Sequence, residues 1–504
     1  MNSKKKQLYP KSSLPRGQKD ISGDELRITN LIISKISAVY ESYGFEGLST
    51  PAFEFSESLG KFLPDDDRPN SGVFSFLDDD DQWLSLRYDL TSPLARYVAE
   101  NNDQLPKPFR RYQTGSVWRN EKPGPGRFRE FIQMDVDNIG PDNPIADAEM
   151  VMIASDCIEN LGIPTKNYDI RVSNRKILDA IIEVINNDNN DDISAERQLI
   201  ILRAIDKLDR IGYEGVEKLL GSGRKDESGD FTKGAELESL QIKRIIDFTQ
   251  SGESSRSATL SNLNKLVYGS SIGEQGIEEL SAINSFLNDT GYGDEKIIFD
   301  PSVVRGLGYY TGPIFEANLS FDNNSDSNIS NFGSIGGGGR YDDLVARFNG
   351  NTMPATGFSI GVSRLYTTLK SMNYNLEDKN YGPVIILSMD KEAQANYHKM
   401  AKELRDIGIK TEVYTGNSGL KAQMKYADRR NSPLVIIEGT IEREEGTLTI
   451  KDLIEGKKLS NSVQDRETWT EKRPAQEVIK RSSLIDKVCN IMQRYGYKEN
   501  DKKY

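Results

Sequence analysis

Histidine is nearly missing from this sequence: His398 is the single one in 504 residues. It falls on the solvent side of an expected helix. That excludes a Ser-His-Asp triad and any metal centre built from several imidazoles. Cysteine is almost as scarce. Cys157 and Cys489 lie far apart in the chain, which excludes a disulfide framework and a cysteine metal site. No apolar run approaches the roughly 18 residues that a membrane helix needs, so no membrane span is expected. The opening MNSKKKQLYPKSS has no apolar core of the kind a secretory signal requires, and a cytoplasmic location is expected. Basic residues are outnumbered, 65 Lys and Arg against 77 Asp and Glu, for a net charge of −12. A wholly basic nucleic-acid coat is thereby excluded, although local basic patches still permit RNA binding. Chemistry in this chain must rest on Arg, Asp, Glu, Tyr, Gln and bound ions.

What is present is length and pattern. A chain this long exceeds one compact core, so two or three domains are expected. SGDELRITNLIISKISAVYESYG, Ser22 to Gly44, predicts a helix. Ser22 and Glu25 have capping-box spacing, Leu31, Ile32, Ile36, Val39 and Tyr40 form an apolar stripe, and Gly44 suits the C′ position. Pro51 then belongs at a strand edge or a kink. WLSLRYD, Trp83 to Asp89, alternates as a strand, with Leu84, Leu86 and Tyr88 on one side. GSVWRNE and FIQMDVD flank a Gly/Pro-rich loop, KPGPGRFR, and predict an antiparallel hairpin. On its return strand Phe131, Gln133, Asp135 and Asp137 share a face, and Ile132, Met134 and Val136 share the other.

From about Leu161 to Asp294 the pattern turns mostly helical. Strand character returns at KIIFDPSVVRG and PIFEANLSF. SIGGGGRYDDLVARF predicts a glycine turn opening a helix, and TGFSIGVSRLYTTL a strand, turn and helix. After a polar linker near Asn375 to Tyr381, strands alternate with helices, which implies a small separate α/β domain.

Each candidate motif has an ordinary reading when taken alone. Arg119 and Glu121 suit a solvated strand face, GGGGR a flexible turn, GFSIGVSRL a packing turn, and KPGPGRFR a long hairpin loop. RGLGYYTGPIFEA, Arg305 to Ala317, suits either a tight turn with tyrosines plugging a core edge or a pocket for one small molecule.

The order and spacing of these pieces are more specific than any one of them. The Pro51 segment, the RNE…RFREF hairpin and GFSIGVSRL resemble the three signature motifs of class II aminoacyl-tRNA synthetases. Within that class LRYDLT, RFREFIQMDVD, VVRGLGYYTGP and GGGGRYD resemble the histidyl-tRNA synthetase family, over roughly residues 15–370. GLKAQMKYADRRNSPLVIIEG and GTLTIKDL resemble the anticodon-binding domain of class IIa.

The resemblance implies an α/β protein. Its α+β catalytic domain, about 1–375, would hold an antiparallel sheet flanked by helices and a helical insertion at about 165–294. An α/β anticodon-binding domain at about 376–470 and a helical tail at 471–504 would follow. The implied reaction joins L-histidine to tRNA(His) through a histidyl-adenylate, with ATP as substrate and Mg²⁺ sharing its charge. A homodimer is implied as well. Negative charge builds on the α-phosphate and on departing pyrophosphate, so positioning and fixed positive charge would do most of the catalysis.

Carried over residue by residue, Arg119 would bind the α-phosphate and Glu121 the adenine amino group. Arg127 and Arg364 would hold the γ-phosphate, and Phe131 would stack on adenine. Arg305 would stabilise the charge formed during attack and is the main catalytic candidate. Asp89, Thr91 and Gln133 would meet the α-amino and carboxylate end of histidine. Asp137 and Tyr310 would meet the imidazole nitrogens, and Tyr309 and Tyr341 would wall the pocket. A pocket of such donors and acceptors rejects analogues that leave them unpaired. The glycines 336–339 would let backbone approach the ligand. Lys421, Lys425, Arg429 and Arg430 would offer RNA phosphate contacts.

Two departures stand out. Gly308 occupies a position that is usually acidic in the family. Lys122 and Gly124 replace the usual bacterial Arg and Gln, where the loop meets the acceptor end of the tRNA. The alternative is a non-enzyme: the synthetase-like regulatory subunit of ATP phosphoribosyltransferase, which lacks the anticodon-binding domain and degrades the ATP motifs.

Overall fold

The computed structural model describes residues 12–59, 72–124, 128–189, 193–225, 229, 231–304, 309–320, 333–376, 381–462 and 475–497. Contacts divide the chain into two units, Met1–Leu376 and Glu377–Tyr504.

The first unit is built on an eight-stranded sheet. Its strand order is Glu46–Gly47, Phe109–Trp118, Glu130–Ile139, Ala355–Gly361, Gly336–Arg340, Pro313–Leu319, Tyr168–Asn174, Ile297–Phe299. The six inner strands run antiparallel, and the two edge strands pair parallel to their neighbours. The alternation seen in the sequence sorts residues onto the two faces. Val136 pairs with Phe358, Phe358 with Gly338, and Phe315 with Val172. These side chains join Met134, Ile360 and Ile170 in one buried core. Residues of three helices, Gly23–Ser42, Pro144–Asn160 and Val362–Ser371, complete that core. The opposite face carries Gln133, Asp135 and Asp137.

The first helix forms as expected, with Ile32, Ile36, Val39 and Tyr40 buried and Gly44 at φ +78°. Its capping box does not form. The Ser22 side chain makes no cap hydrogen bond, and Glu25 is taken by an ion pair with Lys19. The strand Trp83–Leu86 also differs from expectation: Ser85 is its buried residue, while Leu84 and Leu86 are half-buried. The Ser85 hydroxyl lies 2.6 Å from that of Ser56 and 2.7 Å from that of Ser75. A small hydroxyl that finds hydrogen-bond partners on both sides can be enclosed without leaving a polar atom unpaired.

The glycine run is corrected more sharply. Gly336–Arg340 is an inner strand, not a turn opening a helix. A Cβ on Gly336 would stand 2.8 Å from the Ser359 carbonyl oxygen, and one on Gly338 would stand 2.7 Å from the Phe358 Cα. The run is glycine because neighbouring strands approach too closely for any side chain.

The helical stretch lies between Arg175 and Asp289, with one short hairpin, Gly223–Lys225 with Phe231–Lys233. Tyr168–Asn174, within the range expected for the insertion, belongs to the main sheet. Ile181, Ile201, Val216, Ile245 and Ile283 from these helices share the core of the sheet.

The second unit holds a five-stranded sheet in the order Thr411–Val413, Val384–Ile386, Leu434–Ile437, Thr447–Asp452, Gln476–Lys480. The first three strands are parallel, as strand–helix alternation predicts, and the last two are antiparallel. Residues 476–493, read from sequence as part of a tail, lie inside this unit. Gln476–Lys480 pairs with Thr447–Asp452, and Leu484, Val488 and Ile491 of the last helix enter its core. Their apolar spacing of three to four residues needs a surface to cover, and the sheet supplies it. His398 is exposed on the helix Gln394–Asp406.

Candidate active site

The open face of the large sheet has a floor of bare backbone. Directly paired residues point to the same side, so register assigns the floor row by row. One row is Gly115, Gln133 and Gly361. The next is Gln113, Asp135, Ser359 and Gly337. A third is Arg111, Asp137, Gly357 and Gly339. Five of these positions are glycine, so polar side chains stand up from a floor without walls between them.

Asp137 is the most tightly held group on this floor. The Tyr341 hydroxyl donates to its Oδ1. Arg111 Nη2 lies 2.8 Å from its Oδ2, close enough for an ion pair but not aligned as a hydrogen bond. Asp137 is 2% exposed and Arg111 is fully buried. Burial raises the Asp137 carboxyl, against the pull of Arg111 and the Tyr341 hydrogen bond. A Cβ on Gly357 would stand 2.8 Å from its Cγ, so the carboxylate exists in this place only because residue 357 is glycine. Three further buried atoms, Gln133 Oε1 and Arg111 Nε and Nη1, have no partner among the described residues. Buried polar atoms left open have hydrogen-bonding capacity to offer a ligand.

Tyrosines close one side of the floor. The rings of Tyr309 and Tyr310 stand 4.4 Å apart, and those of Tyr309 and Tyr341 stand 6.5 Å apart. Their hydroxyls connect Tyr309 to Tyr310 at 3.3 Å. A Cβ on Gly339 would come within 3.0 Å of the Tyr310 ring. Burial pushes the Tyr309 and Tyr341 phenols up, so both stay neutral donors. The sequence left two readings of these tyrosines open, and both features occur: they are packed, and they face the polar floor.

Asp89 lies just before the helix Thr91–Asn101, and its Oδ1 accepts the Ser92 amide at 2.9 Å. Its charge is felt by Asp135, Asp137 and Tyr309 alike, which places all four groups in one neighbourhood. Thr91 is the first residue of that helix.

Arg119 marks the other end of the floor. Its guanidinium lies 4.4 Å from the Tyr88 ring centre and 5.2 Å from that of Phe131, and its Nε donates to the Tyr88 carbonyl oxygen at 3.3 Å. Two aromatic faces thus orient one cation. Glu121 is exposed, with its charge reaching Tyr88. Arg364, in the first turn of its helix, donates to the Ser334 carbonyl oxygen at 2.8 Å. Arg127, Arg305 and Gly308 lie outside the described residues.

Sequence reasoning passed over Arg87, Arg111 and Gly357. Arg87 is buried and donates to the carbonyl oxygens of Ser116 and Thr50 at 2.8 Å each and of Pro51 at 3.3 Å. It ties the Pro51 segment to the hairpin, and burial lowers its proton affinity. The signal for Arg111 was available: Arg111, Gln113 and Gly115 alternate along a long inner strand, the period of one face. A cavity of about 540 Å³ lined by Tyr43, Lys107, Arg110, Asn138 and Phe286 lies elsewhere and includes none of the expected site residues. The expected residues Gln133, Asp137, Tyr309, Tyr310 and Tyr341 gather on the polar floor instead.

In the second unit Lys421, Lys425 and Arg429 are exposed on the helix Leu420–Arg429, spaced four apart on one side. Arg430 instead pairs with Glu412 at 3.1 Å.

Residues 17–365 match the family described as histidyl-tRNA synthetase, and residues 383–488 match the anticodon binding domain. A histidine–tRNA ligase of Brucella ovis is 53% identical over 485 residues, 96% of each chain. One of Bartonella bacilliformis is 52% identical over 98% of this chain and 99% of its own. The crystal structure of histidyl-tRNA synthetase from Nostoc sp. PCC 7120 superposes with a TM-score of 0.72 at 27% identity, covering 96% of this chain and all of that one. A structure from Bacillus halodurans titled as an ATP phosphoribosyltransferase regulatory subunit/histidyl-tRNA synthetase superposes at 0.65 with 20% identity, covering 86% of this chain and 99% of that one, a likeness of fold. The chain belongs to the histidyl-tRNA synthetase family.

Proposed function

We propose that the protein activates L-histidine with ATP and transfers the histidyl group to tRNA(His), releasing AMP and diphosphate. The observation that carries this reading is Asp137, a carboxylate fixed by Tyr341 and Arg111 on a glycine floor, with the open Gln133 acceptor four residues before it on the same face. Residues i and i+4 on a strand are about 13 Å apart. That spacing suits an amino acid whose ring nitrogen meets Asp137 and whose ammonium meets Gln133 and Asp89. Tyr310 then faces the second ring nitrogen, Tyr309 and Tyr341 wall the ring, and Thr91 flanks the carboxylate end.

ATP lies toward the outer end of the hairpin. Phe131 stacks on adenine and Glu121 accepts from its amino group. Arg119, held between two rings, binds the α-phosphate, and Arg305 shares the developing charge. Arg127 and Arg364 hold the γ-phosphate. Mg²⁺ enters on the ATP phosphates and shares their charge. Attack of the histidine carboxylate on the α-phosphate breaks the α–β bridging bond and expels pyrophosphate. Fixed cations that need no reorganisation lower this barrier. The second unit offers Lys421, Lys425 and Arg429 to the RNA backbone.

The exposed face of a small three-stranded sheet supports a homodimer. Phe53, Phe55 and Phe76 share one face with Leu84 and Leu86, and the three phenylalanines are 49, 49 and 40% exposed. An uncharged aromatic face suits a second copy of the chain, in the cytoplasm where its tRNA is charged. Phe53→Asp should give monomers in sedimentation.

Amino-acid-dependent ATP–pyrophosphate exchange tests the main reading. Exchange with histidine alone supports it. No exchange with any amino acid would point to the regulatory-subunit alternative, against which stand Arg119 between its two rings and the second unit.

A further inference from the structure

The histidine reading above leaves one carboxyl group of the floor unused. Asp135 stands on the same face as Gln133 and Asp137, midway between them, so a substrate reaching from one to the other passes over it. It is 3% exposed, and Ser359 on the next strand donates its hydroxyl to Asp135 Oδ1. No cation forms an ion pair with it among the described residues.

We propose that Asp135 is a positioning residue of the amino-acid pocket, a buried carboxyl group that gives up its proton when the substrate's ammonium group is seated. The exchange balances: a neutral carboxyl group and an ammonium ion become a carboxylate beside an ammonium ion, with one proton released to solvent. This inference rests on the histidine reading of the floor and extends it to a residue that reading does not assign.

The charged and titratable groups around Asp135 set the balance. Asp137 on its own strand and Asp89 before the helix disfavour its charge. Arg111 on the adjoining strand and the Ser359 hydroxyl favour it. Arg87 senses it from the Pro51 side, Tyr341 from the substrate side, and Tyr40 from the first helix. Burial is the largest influence, and with Asp137 it pushes the empty-pocket carboxyl up to about 7. The sign follows. Below that pH an incoming ammonium group meets a neutral acid and must displace its proton. Above it, the carboxylate is already formed. Histidine affinity therefore rises with pH through about 7 by as much as tenfold per unit and then levels.

Isothermal titration of the full-length protein with L-histidine, in two buffers of different ionisation enthalpy at pH 6.5, counts the protons. The wild type should release more protons than Asp135→Asn, by more than half a proton per site. The difference removes the titration of the histidine imidazole, which both proteins share. Ser359→Ala provides a second arm that leaves the carboxyl in place. Losing the hydroxyl donor raises the proton affinity of Asp135, so the pH midpoint of histidine binding should move upward. Equal proton counts in wild type and Asp135→Asn would overturn the proposal, as would an unmoved midpoint in Ser359→Ala should Asp135→Asn not fold. Failure of the wild type to bind histidine would instead overturn the histidine reading itself.

Discussion

Gly357→Ala is the sharpest test of how the floor works. The new Cβ would fall on Asp137 Oδ1, 2.8 Å from its Cγ and 2.9 Å from the Val136 carbonyl oxygen. Ordinary carbon contacts need about 3.5–4.0 Å. The strand cannot retreat, because residue 357 pairs with Asp137 on one side and Gly339 on the other, deep inside the eight-stranded sheet. The carboxylate must turn away, and the Tyr341 hydrogen bond and the Arg111 contact go with it. A hydrogen bond to a charged group contributes about 1.5–3 kcal/mol, and overpacking costs about 1–3 kcal/mol. About 1.5–3 kcal/mol of histidine recognition should therefore be lost, while the overpacking cost falls on folding. At about 1.4 kcal/mol per tenfold, that raises the histidine KM by roughly 10- to 140-fold. The KM for ATP should stay within about threefold, because Arg119 and Phe131 lie at the other end of the floor. Pyrophosphate exchange measured against each substrate gives both numbers, with far-ultraviolet circular dichroism to confirm the fold. Gly419→Ala is the control, since its Cβ meets nothing within 4 Å. A folded Gly357→Ala enzyme with a histidine KM within threefold of wild type would refute the placement of Asp137 as the ring-reading group.

Three more predictions follow from single contacts. Arg340→Met leaves Asp147, 1% exposed and bonded by Arg340 at 2.6 and 3.0 Å, without its cation. Loss of about 3–5 kcal/mol is expected in urea unfolding, and an unchanged midpoint would show that Asp147 is held neutral. Arg119→Ala should slow single-turnover adenylate formation by about 10²–10³-fold while histidine binding is preserved; equal losses in both would mean the cation only braces Tyr88 and Phe131. For the substrate-free protein, the raised carboxyl of Asp135 favours its neutral form in the folded state. Its contribution to stability is complete below the usual aspartate range and is lost as pH rises through about 7. The stability advantage of Asp135→Asn should therefore grow by about 1.4 kcal/mol per pH unit between about 4 and 7 and then level off. An advantage flat across pH 5–8 would contradict the raised carboxyl.

Much of this architecture could be read in the sequence, because alternation is a strong signal. The two faces of Glu130–Ile139 were separable from FIQMDVD alone, and one became core and the other floor. The strand–helix alternation after residue 381 likewise gave the parallel part of the second unit. Legibility failed where the deciding neighbour is remote in sequence. GGGGR looks like a turn until Ser359 and Phe358 are placed beside it. Glu25 has capping-box spacing, yet Lys19 competes for it. Ser85 looked outward until two other serines enclosed it. Arg111 looked like one arginine among many until Asp137, 26 positions later, was placed opposite it in the ladder. The roles of Arg305 and Arg127 came from the family resemblance rather than from pattern, because a loop arginine carries no period.

The glycine floor also acts as a ruler with fixed divisions. Asp137, Gly357 and Gly339 sit on three successive strands, and strands lie about 4.8 Å apart. The span from the Asp137 strand to the strand beneath Tyr310 is thus about two spacings, near 10 Å, and backbone hydrogen bonds hold it. Side-chain changes cannot stretch or shrink that span gradually; only adding or removing a strand would. A pocket measured in strand spacings can alter which groups stand at its ends but not the distance between those ends. Exchanging Asp137 or Tyr310 would therefore change what such a pocket reads, where widening is not open to it.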